Sequence, residues 1–501
     1  MRIMTKEQWL QKAKELSVEG RMFVDGKLKD AESKQTIKVI SPRDGSHLGD
    51  LAKGDKADVE LAVAAARREF EKGSWSKLDP RVRQRVLYRL SDLILENKEE
   101  LALLESLDTG HPISDSMNVD VPSAARTYRW YGEAIDKVYG EVASAPRSAM
   151  VNVTREPLGV IGAVVPWNYP LIISAWKVAP ALAAGNSVVL KPAEDASLSA
   201  IKIAQLALEA GVPAGVFNVV TGLGAEAGKA LGLSDVDKIT FTGSPAVGKM
   251  FQGYAAESNG KQVALELGGK SPHLVFEDVE DIAACASAIT WGIFYNAGQT
   301  CHGGSRLLVH RSIKDKLLAE IVKQGKEFVL GDPIDPKTQV SAIVSQKQLS
   351  RIQHYLDLAK QENLKVLLGG TTNAPDAATK DGFFAQPTVI DEVSPNSVIA
   401  QEEIFGPVLA VITFDTEEEA IKIANGTEYG LAASVWTSNV TRAHKVAREV
   451  RAGTVWINTF DVSDIIVPFG GFKNSGFGRD RSLHALDSYT GLKTTWLHLG
   501  N

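Results

Sequence analysis

Three polar residues stand where a packed core has no need of them. Cys301 is one of only two cysteines in 501 residues, set in the glycine-rich run Gly298-Gln299-Thr300-Cys301-His302-Gly303-Gly304. A thiol in such a turn can face a cleft, with backbone N–H groups aimed at the same point. Lone cysteines are more often small buried hydrophobes than nucleophiles, so a chemical role requires a base, oxyanion donors and an electron acceptor elsewhere in the chain. Glu266 precedes Leu267-Gly268-Gly269-Lys270 at the end of an apolar run. A carboxylate in a partly dry cleft is raised toward the range a general base needs; the alternative is a strand-end acid paired with Lys270. Asn168, in Val165-Pro166-Trp167-Asn168-Tyr169-Pro170, offers a carboxamide N–H between two prolines, or else satisfies a turn.

Two further junctions suit a nucleotide. Lys191-Pro192-Ala193-Glu194 places a cation and a carboxylate within reach of ribose hydroxyls, or forms a solvated loop pair. Phe241-Thr242-Gly243-Ser244-Pro245-Ala246-Val247-Gly248 resembles a phosphate cradle at a helix start, where free N–H groups favour anions. It is not the G-x-G-x-x-G pattern. Glu402-Glu403-Ile404-Phe405-Gly406 and Pro468-Phe469-Gly470-Gly471 read as loops shaped around a ligand.

The elements that must carry these residues alternate. From Gly159 the chain predicts strands at 160–165, 187–190, 216–220, 238–242 and 262–265, with helices near 171–184, 197–210, 224–231 and 245–257. Short apolar strands alternating with helices predict a parallel sheet covered on both faces, with its ligand at the carboxyl ends of the strands. A second series follows a boundary near Gly268, with strands near 273–276, 306–310, 409–413, 431–436 and 454–460. Its helices are expected at 279–296, 312–328, 416–425 and 441–451. The first fifty residues read as short strands and turns. Two helices come next, one with Val59, Ala62, Val63, Ala66 and Phe70 on one face, the other running from Asp79-Pro80 to about Gly110. Tyr139–Val153 and Thr490–Leu499 predict a hairpin and strand standing away from the body.

The composition is that of an ordinary soluble chain, 44% apolar and 23% charged, and its net charge of −6 excludes a basic nucleic-acid or anionic-membrane footprint. The longest apolar stretch, Leu158–Ala184, is broken by Pro166, Asn168, Pro170, Lys177 and Pro180, so no membrane span is expected. Scarce cysteines and the polar start Met1–Gln8 predict a cytoplasmic protein without a leader peptide.

Taken together, Asn168, Lys191, Glu266-Leu267-Gly268-Gly269-Lys270, Gly298-Gln299-Thr300-Cys301 and Glu403 closely resemble, in order and spacing, the non-acylating NAD(P)-dependent aldehyde dehydrogenases. The resemblance spans about Met22 to Trp496. It implies an α/β chain with two Rossmann-like parallel-sheet domains and a small β oligomerisation arm. The NAD-binding domain would comprise residues 1–134 and 157–268, the catalytic domain 269–480, and the arm 135–156 and 481–501, with assembly as a dimer or tetramer. It further implies Cys301 as the nucleophile, Asn168 and the Cys301 N–H as oxyanion donors, and Glu266 as the base that activates the hydrolytic water. Lys177 is implied in a proton exit route, where the family often has a glutamate at the position of Asp480. Lys191 and Glu194 would hold the adenine ribose, Trp167 and Ser244 the pyrophosphate region, Glu403 and Phe405 the nicotinamide side, with Val165 and Gly243 as further cofactor contacts. Glu194 favours NAD over NADP, because a carboxylate repels a 2′-phosphate. No metal is implied.

Within the family, Tyr128–Glu141 and Gly478–Leu486 resemble the bacterial γ-glutamyl-γ-aminobutyraldehyde and 4-aminobutyraldehyde dehydrogenases of putrescine breakdown. Family position places Asp120, Trp176, Thr300, His302, Asp461, Asp464 and Phe469 near the substrate. Acids among aromatic walls suit a cationic distal group; the alternative is that Asp461 and Asp464 cap a surface loop. Betaine aldehyde and simple alkanals are the other substrate classes to test. An acylating enzyme is opposed by Glu266, a cofactor-free thiol hydrolase by the nucleotide junctions, and a silent scaffold by the intact Cys301, Glu266 and Asn168.

Overall fold

A computed structural model describes residues 4–500. Met1–Ile3, on which part of the leader expectation falls, and Asn501 at the end of the expected arm lie outside the described residues. The first sheet has eight strands. Its five parallel members lie side by side in the order Gln262–Glu266, Lys238–Thr242, Val160–Val164, Ser187–Lys191 and Phe217–Val219. The sequence steps outward from Val160–Val164 in one direction and then in the other, so that strand lies beside the switch point where such sheets bind ligands. Every residue of the three central strands is buried, as a sheet covered on both faces requires.

The second sheet runs Lys365–Leu368, Thr388–Asp391, Val408–Phe414, Arg306–His310, Pro272–Val275, Ala432–Trp436 and Thr454–Ile457, and is parallel except at the first pair. Gly268-Gly269 connects the two sheets. Gly476–Phe477 then returns to the first sheet and pairs with Leu265 and Glu266, tying the late chain to the strand that ends on the candidate base. Glu141–Ala143, Ala149–Pro157 and Thr490–His498 form a separate antiparallel sheet, the last two matched over nine residue pairs. Tyr139, Val142, Leu492, Trp496 and Leu497 on this projection are exposed.

Several local expectations need correction. The chain opens on a helix, Lys6–Glu15, whose start is fixed by a capping box between Thr5 and Gln8. The helix expected from Asp79 to Gly110 is two, Pro80–Glu96 and Lys98–Thr109, because the Asn97 side chain donates to the Leu93 carbonyl and closes the first. Thr388–Asp391, Lys365–Leu368 and the helix Gln346–Gln361 were not anticipated. The strand expected over 454–460 stops at Ile457, where Asn458 (φ 51°) and then Asp461 (φ 59°) turn the backbone left-handed.

Candidate active site

Cys301 owes its position to backbone rather than to side-chain packing. The helix Ile282–Phe294 ends in a turn where Asn296, Ala297 and Gly298 adopt φ of 47°, 50° and 71°. Left-handed backbone costs an alanine roughly 1–2 kcal/mol, so the surroundings must over-determine it. They do so with hydrogen bonds. The Asn296 side chain donates to the Asn168 backbone carbonyl at 3.0 Å, the Gln299 side chain donates to the Asn296 and Ala342 carbonyls, and the Val344 N–H donates to the Gln299 Oε1 at 3.0 Å. A Cβ at Gly298 would lie 2.2 Å from the Gly406 carbonyl oxygen, so only glycine fits.

The glycines after Glu266 serve the same closeness. A Cβ at Gly268 would meet Glu403 Oε2 at 2.1 Å, and one at Gly269 would meet the Cys301 carbonyl oxygen at 2.6 Å. Glu266, the last residue of its strand, is thereby brought into the electrostatic range of Cys301. Burial first, then the Glu266 and Glu403 carboxylates, push the Cys301 thiol well above its usual value, and the His302 N–H pulls it back. Burial pushes Glu266 up to about 8 against the Lys177 ammonium. Its Oε1 has no hydrogen-bond partner among the described residues, and neither has Lys270 Nζ, so the Glu266–Lys270 pair considered from sequence does not form. Lys177 pairs instead with Asp480 at 2.6 Å, both buried. The shorter aspartate reaches the lysine, and a small cavity lined by Lys177, Glu266 and Asp480 adjoins them.

Asn168 is buried at the end of the first βα junction, where its Nδ2 donates to the Gln299 carbonyl at 2.9 Å. A carboxamide nitrogen has two donors, which leaves one. The second cysteine is a contrast. Cys285 is fully buried in Ile282–Phe294, where burial first and then the Asp281 carboxylate push its thiol far up.

The cofactor candidates line the strand ends on the other side. Lys191 ends its strand with Nζ 3.1 Å from Glu194 Oε2. Burial opposes the Glu194 charge, but Lys191 and backbone N–H groups hold its carboxyl below the ordinary range. The Val165 N–H donates to the Lys191 carbonyl. Ser244 caps the helix Pro245–Glu257, whose start follows Gly243. Trp167 and Phe405 meet edge-on at 5.2 Å, and Glu403 Oε1 accepts the Gly269 N–H at 2.9 Å. Burial raises Glu403 to about 7 despite that bond. A half-exposed carboxylate for ribose hydroxyls, a helix start and an edge-on aromatic pair suit a nicotinamide dinucleotide, and the buried Thr242 hydroxyl, unpartnered among the described residues, adds a spare polar group.

A cavity of about 340 Å³ leads from Cys301 outward. Trp176, His302, Asp461, Asp464 and Phe469 line it, as expected from sequence, but Asp120 and Thr300 do not. Asp120 is sealed beneath, wholly buried, with its carboxylate 2.5 Å from His111 Nδ1. The Thr300 hydroxyl is tied at 2.7 Å to the hydroxyl of Tyr169, which forms the wall in its place. Tyr169, Trp291, Tyr295 and Trp456 complete an aromatic lining that sequence reasoning did not list as substrate contacts, although Tyr169 and Tyr295 flank the motifs already singled out. Neither acid is free: Asp461 accepts from His302 Nε2 at 2.7 Å, and Asp464 pairs with Arg126 at 2.6 Å. Arg481, also missed, lines the cavity from within the Gly478–Leu486 stretch.

Comparison with known proteins agrees with this geometry. Residues 28–495 match the model of the aldehyde dehydrogenase family. The NADP/NAD-dependent aldehyde dehydrogenase PuuC of Escherichia coli (strain K12) is 46% identical over 492 residues, 98% of each chain. A γ-glutamyl-γ-aminobutyraldehyde dehydrogenase structure from Burkholderia cenocepacia J2315 is 53% identical with a TM-score of 0.96, covering 99% of this chain and 100% of that one. The P. syringae indole-3-acetaldehyde dehydrogenase, solved with NAD+ and IAA, is 50% identical with a TM-score of 0.97 over the same shares. The turn that carries Cys301, the strand-end carboxylate and the two linked sheets thus have a common explanation: the chain belongs to the aldehyde dehydrogenase family.

Proposed function

We propose that this protein oxidises an ω-amino or γ-glutamylamino aldehyde from polyamine breakdown to the carboxylic acid, with NAD preferred over NADP. The observation that carries the reading is Cys301 at the inner end of an aromatic-lined cavity, with Glu266 beside it and a nucleotide-suited crevice behind. A relative named for γ-glutamyl-γ-aminobutyraldehyde and one named as NADP/NAD-dependent support the substrate class and a nicotinamide cofactor.

In this mechanism Glu266, as carboxylate, takes the Cys301 proton, and the thiolate adds to the aldehyde carbon. The oxygen that gains charge is held by the free Asn168 N–H and the Cys301 backbone N–H; one such donor is typically worth ~10²–10³ in rate. Lys191, Glu194, Ser244 and Glu403 would hold the nicotinamide cofactor in the crevice, where it would supply a hydride acceptor, and Cys301 would then carry the substrate as a thioester. Glu266 passes the proton it took from Cys301 outward by way of Lys177 and Asp480 and, as carboxylate again, deprotonates the water that adds to the thioester. The tetrahedral adduct expels the Cys301 thiolate, which takes the proton back from Glu266 as the acid leaves. The carboxylate of Glu194 disfavours a 2′-phosphate, with Lys191 tempering the discrimination.

The same reading assigns 1–134 with 157–268 to the cofactor domain, 269–480 to the catalytic domain, and 135–156 with 481–501 to an arm. The apolar side chains exposed on the arm suit self-association as a dimer or tetramer. Among the described residues no helix is long and apolar enough to cross a membrane, which fits the proposed cytoplasmic location. A steady-state assay of reduced cofactor with 4-aminobutyraldehyde and its γ-glutamyl derivative tests the proposal. Turnover that does not need NAD would overturn the dehydrogenase mechanism, and a wide preference for uncharged alkanals would remove the aminoaldehyde assignment.

A further inference from the structure

Of the four charged side chains other than His302 around the cavity, three are engaged. Arg126 and Asp464 neutralise each other at 2.6 Å, with the arginine side chain 61% exposed at the mouth. Asp461 is held by His302 at 2.7 Å. Arg481 differs. Its residue is only 5% exposed, and no carboxylate lies within ion-pairing distance of its guanidinium among the described residues. One Nη donates to the Asp464 backbone carbonyl, which leaves Nε and the other Nη without an acceptor among the described residues. The guanidinium is not loose. It lies over the ring of Trp176, with Cζ 5.3 Å from the centroid, and 5.9 Å from that of Phe469, two walls of the same cavity. Its backbone is left-handed at φ 65°, so the turn after Asp480 aims it inward. The Asp464, Asp461 and Asp480 carboxylates act on it only at a distance, and burial still pulls its pKa down. A buried guanidinium without a contacting anion is expensive unless something supplies one, and the side facing it is the substrate space.

We infer that Arg481 is a specificity-determining residue that receives a carboxylate carried at the distal end of the aldehyde. A planar guanidinium with unused N–H donors is built for a carboxylate, whereas an ammonium end group would meet like charge there. The inference rests on the reading of this cavity as the aldehyde site. It deepens that reading by favouring the γ-glutamylamino aldehyde, which bears a carboxylate, over the free ω-amino aldehyde, which bears only a cation. The acids do not contradict it, because each is already matched.

The test uses ω-oxo carboxylic acids of increasing chain length against length-matched alkanals, so it does not require an amine in the substrate. The quantity read is the ratio of kcat/KM for acid over alkanal within each protein. In the wild type the ratio should exceed one at the chain length that spans the cavity. In Arg481→Gln it should fall about 10- to 100-fold, mainly through KM, with partial recovery in Arg481→Lys, which keeps the charge but not the fork. A ratio equal in wild type and Arg481→Gln overturns the inference, as does a wild-type preference for alkanals at every length. If the variants fail to fold, competitive inhibition of the wild type decides: an α,ω-dicarboxylate must inhibit more strongly than the monocarboxylate of the same length, and equal inhibition overturns the inference. Efficient oxidation of 4-aminobutyraldehyde with rejection of oxo acids would sink Arg481's role and leave the aminoaldehyde reading standing. No cofactor reduction with any aldehyde would sink both.

Discussion

The two ends of the substrate cavity are held in place by different means. At the inner end, Cys301, Asn168 and Glu266 sit at a strand end, a βα junction and a turn locked by carboxamide side chains bonded to the backbone, and burial raises the thiol and the carboxylate toward their neutral forms. At the mouth, Asp461, Asp464 and Arg481 sit on loops and Arg126 on the helix Val121–Ala134, and three of the four are set by ion pairs or charge-assisted bonds with side chains far away in sequence. In the proposed mechanism the inner end fixes what is done to a carbonyl, and the mouth selects what is attached to it. Damage to the first should therefore appear in kcat for every aldehyde, and damage to the second in KM for particular ones.

The largest expected effect is at the thiol. Cys301→Ala should lower cofactor reduction by about 10⁴-fold or more with any aldehyde, read from the growth of reduced-nicotinamide absorbance. Residual turnover within tenfold of wild type would remove the nucleophile assignment and with it the contrast between the two ends.

Glu266→Gln comes next, with a loss of roughly 10²–10⁴-fold and a covalent acyl adduct on Cys301 visible by intact mass, because hydrolysis slows more than attack. Its pH profile sharpens the point. A base must be unprotonated to act, and Glu266 releases its proton only near about 8. Wild-type kcat/KM should therefore climb as pH rises toward that value and level off above it. The limb should disappear in Glu266→Gln; a limb that persists unchanged would assign it to another group.

The smallest effect belongs to the mouth. Arg126→Ala removes an exposed partner of Asp464, a pair worth about 0–1 kcal/mol, so alkanal turnover should change less than about fivefold. Its useful consequence is charge, since Asp464 would then stand free. The KM for 4-aminobutyraldehyde should drop relative to that for an alkanal, and a rise instead would show that Asp464 does not face the substrate.

Sequence made the inner end readable because its requirements are local. Gly268-Gly269 and Gly298 mark close approaches in which a Cβ has no room, and Asn168, Lys191 and Glu266 fall at ends of apolar strands recognisable by pattern. The mouth lacked such marks. Asp120 was expected near the substrate but spends its charge on His111 in the interior, a contact nine residues away that only folding reveals. Thr300 adjoins the nucleophile in sequence, yet its hydroxyl is taken by Tyr169. Arg481 sits in a stretch already recognised as distinctive, but its lack of a contacting carboxylate among the described residues is a property of space rather than of sequence. Elements missed in the fold have a similar cause: Thr388–Asp391 is only four residues long and gains its identity by pairing with Val408–Phe414.

The left-handed turn at Asn296, Ala297 and Gly298 makes position 301 a socket. Neighbouring carbonyls and amides set its place, and the sulfur adds only a long contact to His302 Nδ1 at 3.8 Å and its interaction with Glu266. A serine or selenocysteine installed there would inherit the same amide donors and the same carboxylate, and differences in their reactivity would report the nucleophile's intrinsic chemistry with the architecture held constant.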